Sequence, residues 1–182
     1  MLTMLSMCDD DLTPYRSRWI LAEPARDGWQ RDAYFALRRA VFVDEQRMFE
    51  ESDLDAHDDD ALHLVAIATS AGVPDEVIGV VRIYPQADDV WVGGRLAVVS
   101  RYRRSREVGT ALTHAAVGAA RGLGAVRFLA TVQQENVAFF ERLHFARREP
   151  LTLCGHPHLL MEADLAAFAV PSWVRDMLAR AA

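Results

Sequence analysis

The densest chemistry in the sequence lies in Arg101-Tyr-Arg-Arg-Ser-Arg-Glu-Val-Gly-Thr110. There Arg101, Arg103, Arg104 and Arg106 place four of the chain's 20 basic residues within six positions. The residues before it, Arg95 to Val99, read as the end of a strand, and those from Val108 to Gly122 read as a small-residue helix. A helix start carries unpaired backbone N–H groups and a partial positive charge. A basic loop running into one is therefore a ready anion site. Gly109 has no Cβ and lets backbone approach a ligand closely, and Thr110 can offer a hydroxyl. The same residues also fit a solvated arginine cluster ahead of an ordinary helix-start glycine, and spacing alone leaves both readings open.

Other side chains could move protons. His63 alternates with apolar neighbours in Leu62 to Ala68, so it is either a half-buried structural histidine or a group facing a cleft. His156 and His158 flank Pro157 and can bind substrate or pack. An unperturbed imidazole titrates close to neutral pH, so each could serve as a base. The acidic stretch Glu50, Glu51, Asp53, Asp55, Asp58, Asp59 and Asp60 fits a solvated block of like charge, or an acidic wall that attracts a cation. Its spacing is not that of a calcium loop, and no metal is expected. Cys8 and Cys154 lie far apart and form neither a metal pattern nor a disulfide framework, which favours a reducing cytoplasm.

These groups need a scaffold, and the chain can build one. It has 182 residues, suited to one domain, with 51% hydrophobic and 25% charged side chains. Its net charge of −6 argues against a phosphate-backbone partner, so neither nucleic acid nor a membrane surface is expected. Met1 to Met7 lacks a basic n-region, which argues against a signal peptide. No run reaches the ~20 apolar residues of a membrane helix.

Residues 1–17 read as an N-terminal arm, 18–165 as the domain and 166–182 as a helical tail. Arg18 to Glu23 reads as a strand and Trp29 to Val43 as a helix, with Glu45 to Glu51 as a short second helix. Strands follow at Leu62 to Ala68, Val77 to Tyr84 and Val90 to Val99, the first two as a hairpin with a turn over Ser70 to Glu76. Pro85 to Asp89 reads as a turn, and Gly93 and Gly94 mark a bulge or a close backbone approach. A strand over Val126 to Gln133 and a helix over Asn136 to Leu143 come next, then strands at Leu151 to Leu153 and His158 to Ala163. The order β-α-α-β-β-β-α-β-α-β is that of a mixed α/β layer protein. The amphipathic tail Pro171 to Ala182, with Trp173, is either packed on its own domain or a homodimer interface.

Arg104-Ser-Arg-Glu-Val-Gly109 resembles motif A of the GNAT superfamily of N-acetyltransferases, Arg/Gln-x-x-Gly-x-Gly/Ala, with Glu107 in place of the middle glycine. Asn136-Val-Ala-Phe-Phe-Glu-Arg-Leu-His-Phe145 resembles the motif B helix of the same superfamily. Leu37-Arg-Arg-Ala-Val-Phe-Val-Asp-Glu-Gln46, Ala61-Leu-His63 and His156-Pro-His158-Leu-Leu-Met161 are similar to its ElaA-like branch. The Phe-Val-x-Glu-Gln segment is more distantly similar to acyl-homoserine-lactone synthases. Bacterial acetyltransferases linked to nitrogen starvation are a further candidate for a close relative. The resemblance spans roughly residues 18–165.

It implies a single-domain GNAT fold, a mixed central sheet whose two splayed parallel strands, Arg95 to Val99 and Val126 to Gln133, hold acetyl-CoA. Leu96, Ala97 and Val98 would bind the pantetheine. Arg104, Ser105, Arg106, Glu107, Val108, Gly109 and Thr110 would cradle the pyrophosphate, with Asn136 and Phe140 against the pantetheine. A small-molecule amine would attack the thioester directly, with no enzyme nucleophile, so the protein works by positioning and by oxyanion stabilisation. The motif B tyrosine that protonates the departing thiolate is Phe140 here. Tyr84, Tyr102, His144 and Cys154 are the substitutes, and His63, Tyr84 and His144 are carried forward as catalytic candidates. A module that binds acyl-CoA without turnover, and an acyltransferase fed by acyl-carrier protein, remain alternatives.

Overall fold

The structure is a computed structural model that describes residues 16–70, 72–87 and 89–181. The expected N-terminal arm and Cys8 lie outside the described residues, apart from Arg16 and Ser17, which open the first strand.

The hairpin read from the sequence forms. Strand β1 (Arg16–Pro24) runs antiparallel to β2 (Leu62–Ser70), and β2 to β3 (Val73–Ala87). The chain continues through β4 (Val90–Val98), β5 (Arg127–Gln133), β6 (Phe145–Leu153) and β7 (His156–Ala163). All seven form one sheet in the order β1-β2-β3-β4-β5-β7-β6, with β4 and β5 parallel. Helix α1 (Gly28–Arg39) covers one face and α2 (Glu107–Gly122) the other, followed by the short α3 (Val137–Arg142) and the terminal α4 (Ser172–Ala181). Central strand β3 is buried on both sides from Val77 to Ile83, which is why its sequence is nearly continuous in apolar residues. Tyr34, Val65, Ile67, Val80 and Ala97 pack under α1, while Leu64, Ile78, Ile83 and Met161 pack under α2.

Several local expectations change. The turn expected over Ser70 to Glu76 tightens, because β2 reaches Ser70 and β3 starts at Val73. No second helix forms over Glu45 to Glu51; α1 instead widens into a π-helical turn, Ala40–Glu45, that buries Val41, Phe42 and Val43 in succession. The expected turn over Pro85 to Asp89 begins later, because β3 runs on to Ala87 and Pro85 pairs with Trp91. Strand β6 starts at Phe145, six residues before the expected Leu151. Its residues are nearly all exposed at the sheet edge, so no apolar alternation announces them.

The tail packs on its own domain. Phe168 and Val174 are fully buried, and Arg121 donates to the Phe168 carbonyl at 2.7 Å. This contact requires Gly118, where a Cβ would lie 2.2 Å from the Ala169 carbonyl oxygen. Alanine ordinarily favours a mid-helix site over glycine by ~0.5–1 kcal/mol. Here Gly118→Ala is expected to do the opposite and destabilise by ~1–3 kcal/mol through overpacking, read as a lowered midpoint in urea with an unchanged slope.

Candidate active site

Parallel pairing of β4 with β5 runs from Val90↔Arg127 to Gly93↔Ala130 and stops there. Gly93 permits this close approach, since a Cβ would sit 2.6 Å from the Phe128 ring. One residue further on, β4 bulges: its register against β3 shifts between Ala97↔Val80 and Gly94↔Arg82, and Arg95 takes a left-handed φ of 55°. Such a bulge bends its strand. The far half of β4 therefore turns from β5, and its edge on that side is left without a strand. The gap opens into a cavity of about 1020 Å³.

One end of the cavity lies at the start of α2. Arg106 there has φ of 60° and no side chain caps the helix. Among the described residues the N–H groups of Val108 and Gly109 have no acceptor, and that of Glu107 reaches only Ser105 Oγ at 3.4 Å. Arg106 lines the cavity with its guanidinium over Phe139, 6.0 Å from the ring centre. Arg103 also lines it, but is held by Glu45 and by the Val98 carbonyl at 2.7 Å. A helix end of this make-up suits an anion, with Arg103 tied down and Arg106 without an ion-pair partner among the described residues.

The other end is walled by an ion network. Arg38, fully buried, donates to Asp53 at 2.7 Å and pairs with Asp58. Arg82, 3% exposed in mid-strand, forks onto Asp55 at 2.6 and 2.9 Å and meets Asp58 at 2.9 Å. Arg95 closes the set on Asp53 and Asp55. Burial works against the charges of Arg38, Arg82, Arg95, Asp55 and Asp58. For Asp58, the hydrogen bonds from Arg38, Asp55 N–H and Arg82 outweigh burial and hold its carboxyl well below the usual range. Arg38 is likewise raised, since its bonds to Asp58 and Asp53 reverse the effect of burial. Arg95 is instead lowered, by burial and by the neighbouring charge of Arg82. Three of the seven acids in the stretch that could have been a solvated block are thus pinned: Asp53, Asp55 and Asp58 neutralise three arginines. Arg82, a charge inside the apolar run VIGVVRIY, was the overlooked sign of it.

Of the residues expected to bind cofactor, Leu96, Ala97, Val98, Arg106, Gly109, Asn136 and Phe140 line the cavity, while Arg104, Ser105, Glu107, Val108 and Thr110 do not. Val108 is core, 1% exposed. Of the catalytic candidates, Tyr84 lines the cavity, stacked on His57 at 4.2 Å, and burial raises its pKa. His63 lies elsewhere, edge-on to Tyr34 and Phe35, and donates through Nε2 to the Asp58 carbonyl. Burial pushes it down to about 4. His144 occupies a left-handed turn (φ 61°) outside the cavity, in the position glycine would favour. Cys154, His156 and His158 all reach the cavity wall, Cys154 as an exposed turn residue. Among the described residues no cluster of His, Cys, Asp and Glu is arranged to hold a metal, and no helix is long and apolar enough to cross a membrane.

The same architecture recurs in solved proteins. A candidate N-acetyltransferase from Lactobacillus plantarum superposes with a TM-score of 0.70 at 27% identity, over 80% of this chain and 98% of that one. Escherichia coli ElaA gives 0.66 at 23%, over 80% and 100%. BjaI, a CoA-dependent acyl-homoserine lactone synthase solved with SAM and isopentyl-CoA, gives 0.57 at 18%, over 87% and 86%. The model of the acetyltransferase (GNAT) family matches residues 18–145. The splayed strands, the uncapped helix start between them and this match together make the chain a member of the GNAT acetyltransferase family.

Proposed function

We propose that the protein transfers an acetyl group from acetyl-CoA to the amine of a small molecule by direct attack. The observation that carries this reading is the uncapped start of α2, opening onto a cavity that begins where β4 and β5 part. The Gly109 N–H group and the Arg106 guanidinium, both on the cavity wall, suit the diphosphate of CoA. The open edge of β4 over Leu96, Ala97 and Val98 offers backbone groups to the pantetheine amides, with Asn136 and Phe140 on the facing wall. The donor supplies a thioester carbonyl; the protein holds it in the gap, excludes water and aims backbone N–H groups at the developing oxyanion. Phe140 has no hydroxyl, so it gives no proton to the leaving thiolate. The acceptor enters from the α1 face, between the Arg82, Tyr84 and Arg95 floor and the Phe42, Met48 and Phe49 wall.

Thermal unfolding with acetyl-CoA, CoA or ATP tests the donor, and thiol release from acetyl-CoA with a panel of primary amines tests the reaction. A ligand at ~100 times its dissociation constant stabilises by ~2.7 kcal/mol, about 5–10 °C for a chain of this size. A rise of that order with acetyl-CoA and CoA, little with ATP, and amine-dependent thiol release are expected. A rise without release would identify a binding module. No rise would overturn the CoA reading and turn attention to acyl-carrier donors.

A further inference from the structure

The amine arrives as an ammonium and must lose a proton before it can attack, and the site's imidazoles differ sharply in their fitness to take it. His63 is outside the cavity with Nε2 committed to a carbonyl. Tyr84 is held as a neutral phenol by burial. His156 opens β7 and is exposed. His158 is different: it is 3% exposed, yet lines the cavity. Its Nδ1 lies 2.9 Å from the His156 carbonyl oxygen. A carbonyl can only accept, so Nδ1 carries the hydrogen and Nε2 is left with its lone pair. Among the described residues Nε2 has no partner, and it is not one of the fully enclosed polar atoms, so it opens to the cavity.

The register places this nitrogen on the acceptor's side. His158 on β7 pairs with Gln133 on β5, at the far end of the splay, and paired residues share a sheet face. Gln133 points toward α1, where Nε2 donates to Gln46 Oε1 at 3.1 Å. His158 therefore stands on the face that carries Arg82, Tyr84 and Arg95, across the gap from β4.

We propose that His158 is the general base of the reaction, its Nε2 taking a proton from the acceptor ammonium. The neutral nitrogen then forms the C–N bond at the thioester carbonyl. The tetrahedral intermediate expels the CoA thiolate as the C–S bond breaks. The second proton lost by nitrogen goes to the thiolate, and His158 releases its own to solvent. This rests on the proposed acetyl transfer to an amine.

The test uses the full chain, acetyl-CoA and phenethylamine, an amine with an aromatic body matched to the Phe42, Met48 and Phe49 wall, alongside the amine panel. In His158→Gln and His158→Ala, kcat is expected to fall ~10²–10⁴-fold, the span of general-base help, while the acetyl-CoA thermal shift stays as in wild type. Added imidazole is expected to restore part of the rate in His158→Ala and none in His158→Gln, whose side chain fills the space. Nitrogen-15 spectra of the free protein are expected to show His158 protonated at Nδ1. An unchanged kcat in both variants, loss of acetyl-CoA binding in step with kcat, or a proton on Nε2 overturns the assignment. Wild-type protein that releases no thiol with any amine overturns the proposed function instead, and the base with it.

Discussion

Arg38→Met is expected to cost about 3 kcal/mol of stability, the lower end of what removing one partner of a buried ion pair costs, and so to lower the melting midpoint by roughly 10 °C. The side chain is fully buried between Asp53, 4% exposed, and Asp58, 10% exposed. Methionine fills much of the volume but donates nothing, so two largely buried carboxylates each lose a charged donor. The lower end of the range is chosen because each acid keeps a second arginine: Asp53 retains Arg95 and Asp58 retains Arg82. The surface pair Arg147–Glu141 sets the contrast. Both its side chains are largely exposed, and Arg147→Ala should leave the midpoint within error. A melting curve for Arg38→Met that matches wild type would show that the network shapes the cavity wall without holding the fold.

The parts of this protein that follow from local rules were legible. Short apolar runs bounded by turn residues exposed β2 and β3, and the Ala-rich run exposed α2, because burial writes itself into residue order. Gly93 was readable as a point of close approach, though not which ring it meets. What could not be read is what depends on partners distant in sequence. Arg38, Arg82 and Arg95 meet acids 15 to 42 residues away, and no spacing rule joins them. The π-helical turn at Ala40 goes with packing of Val41 and Phe42 against sheet residues distant in sequence. Strand β6 forms by pairing with β7 although its own residues are mostly exposed. The site divides the same way. The basic loop running into α2 is a local motif and was visible as one, whereas which arginine faces the cavity depends on the loop's path. His158 appeared only as one of several histidines until the register put it opposite Gln133.

That path gives the second large prediction. Arg106→Glu is expected to weaken acetyl-CoA binding by ~10–100-fold, since charge-assisted bonds to phosphate contribute ~1.5–3 kcal/mol and reversal adds repulsion. Arg106 lines the cavity and has no ion-pair partner among the described residues, so its charge is available to the ligand. Arg103, its neighbour on the cavity wall, is already bound to Glu45. Arg104 sits in the same motif but does not line the cavity, so Arg104→Glu should change affinity only a few-fold, through the screened general field. The substitution at 106 should leave the unliganded protein as stable as wild type, because the residue is exposed and an acid at a helix start is favoured by the helix dipole. Calorimetric titration of both variants with acetyl-CoA decides the matter. A large loss at 106 with little at 104 fixes the diphosphate at the start of α2. Equal losses would mean the loop acts only as a diffuse positive patch, and no loss at 106 would move the diphosphate away from this helix.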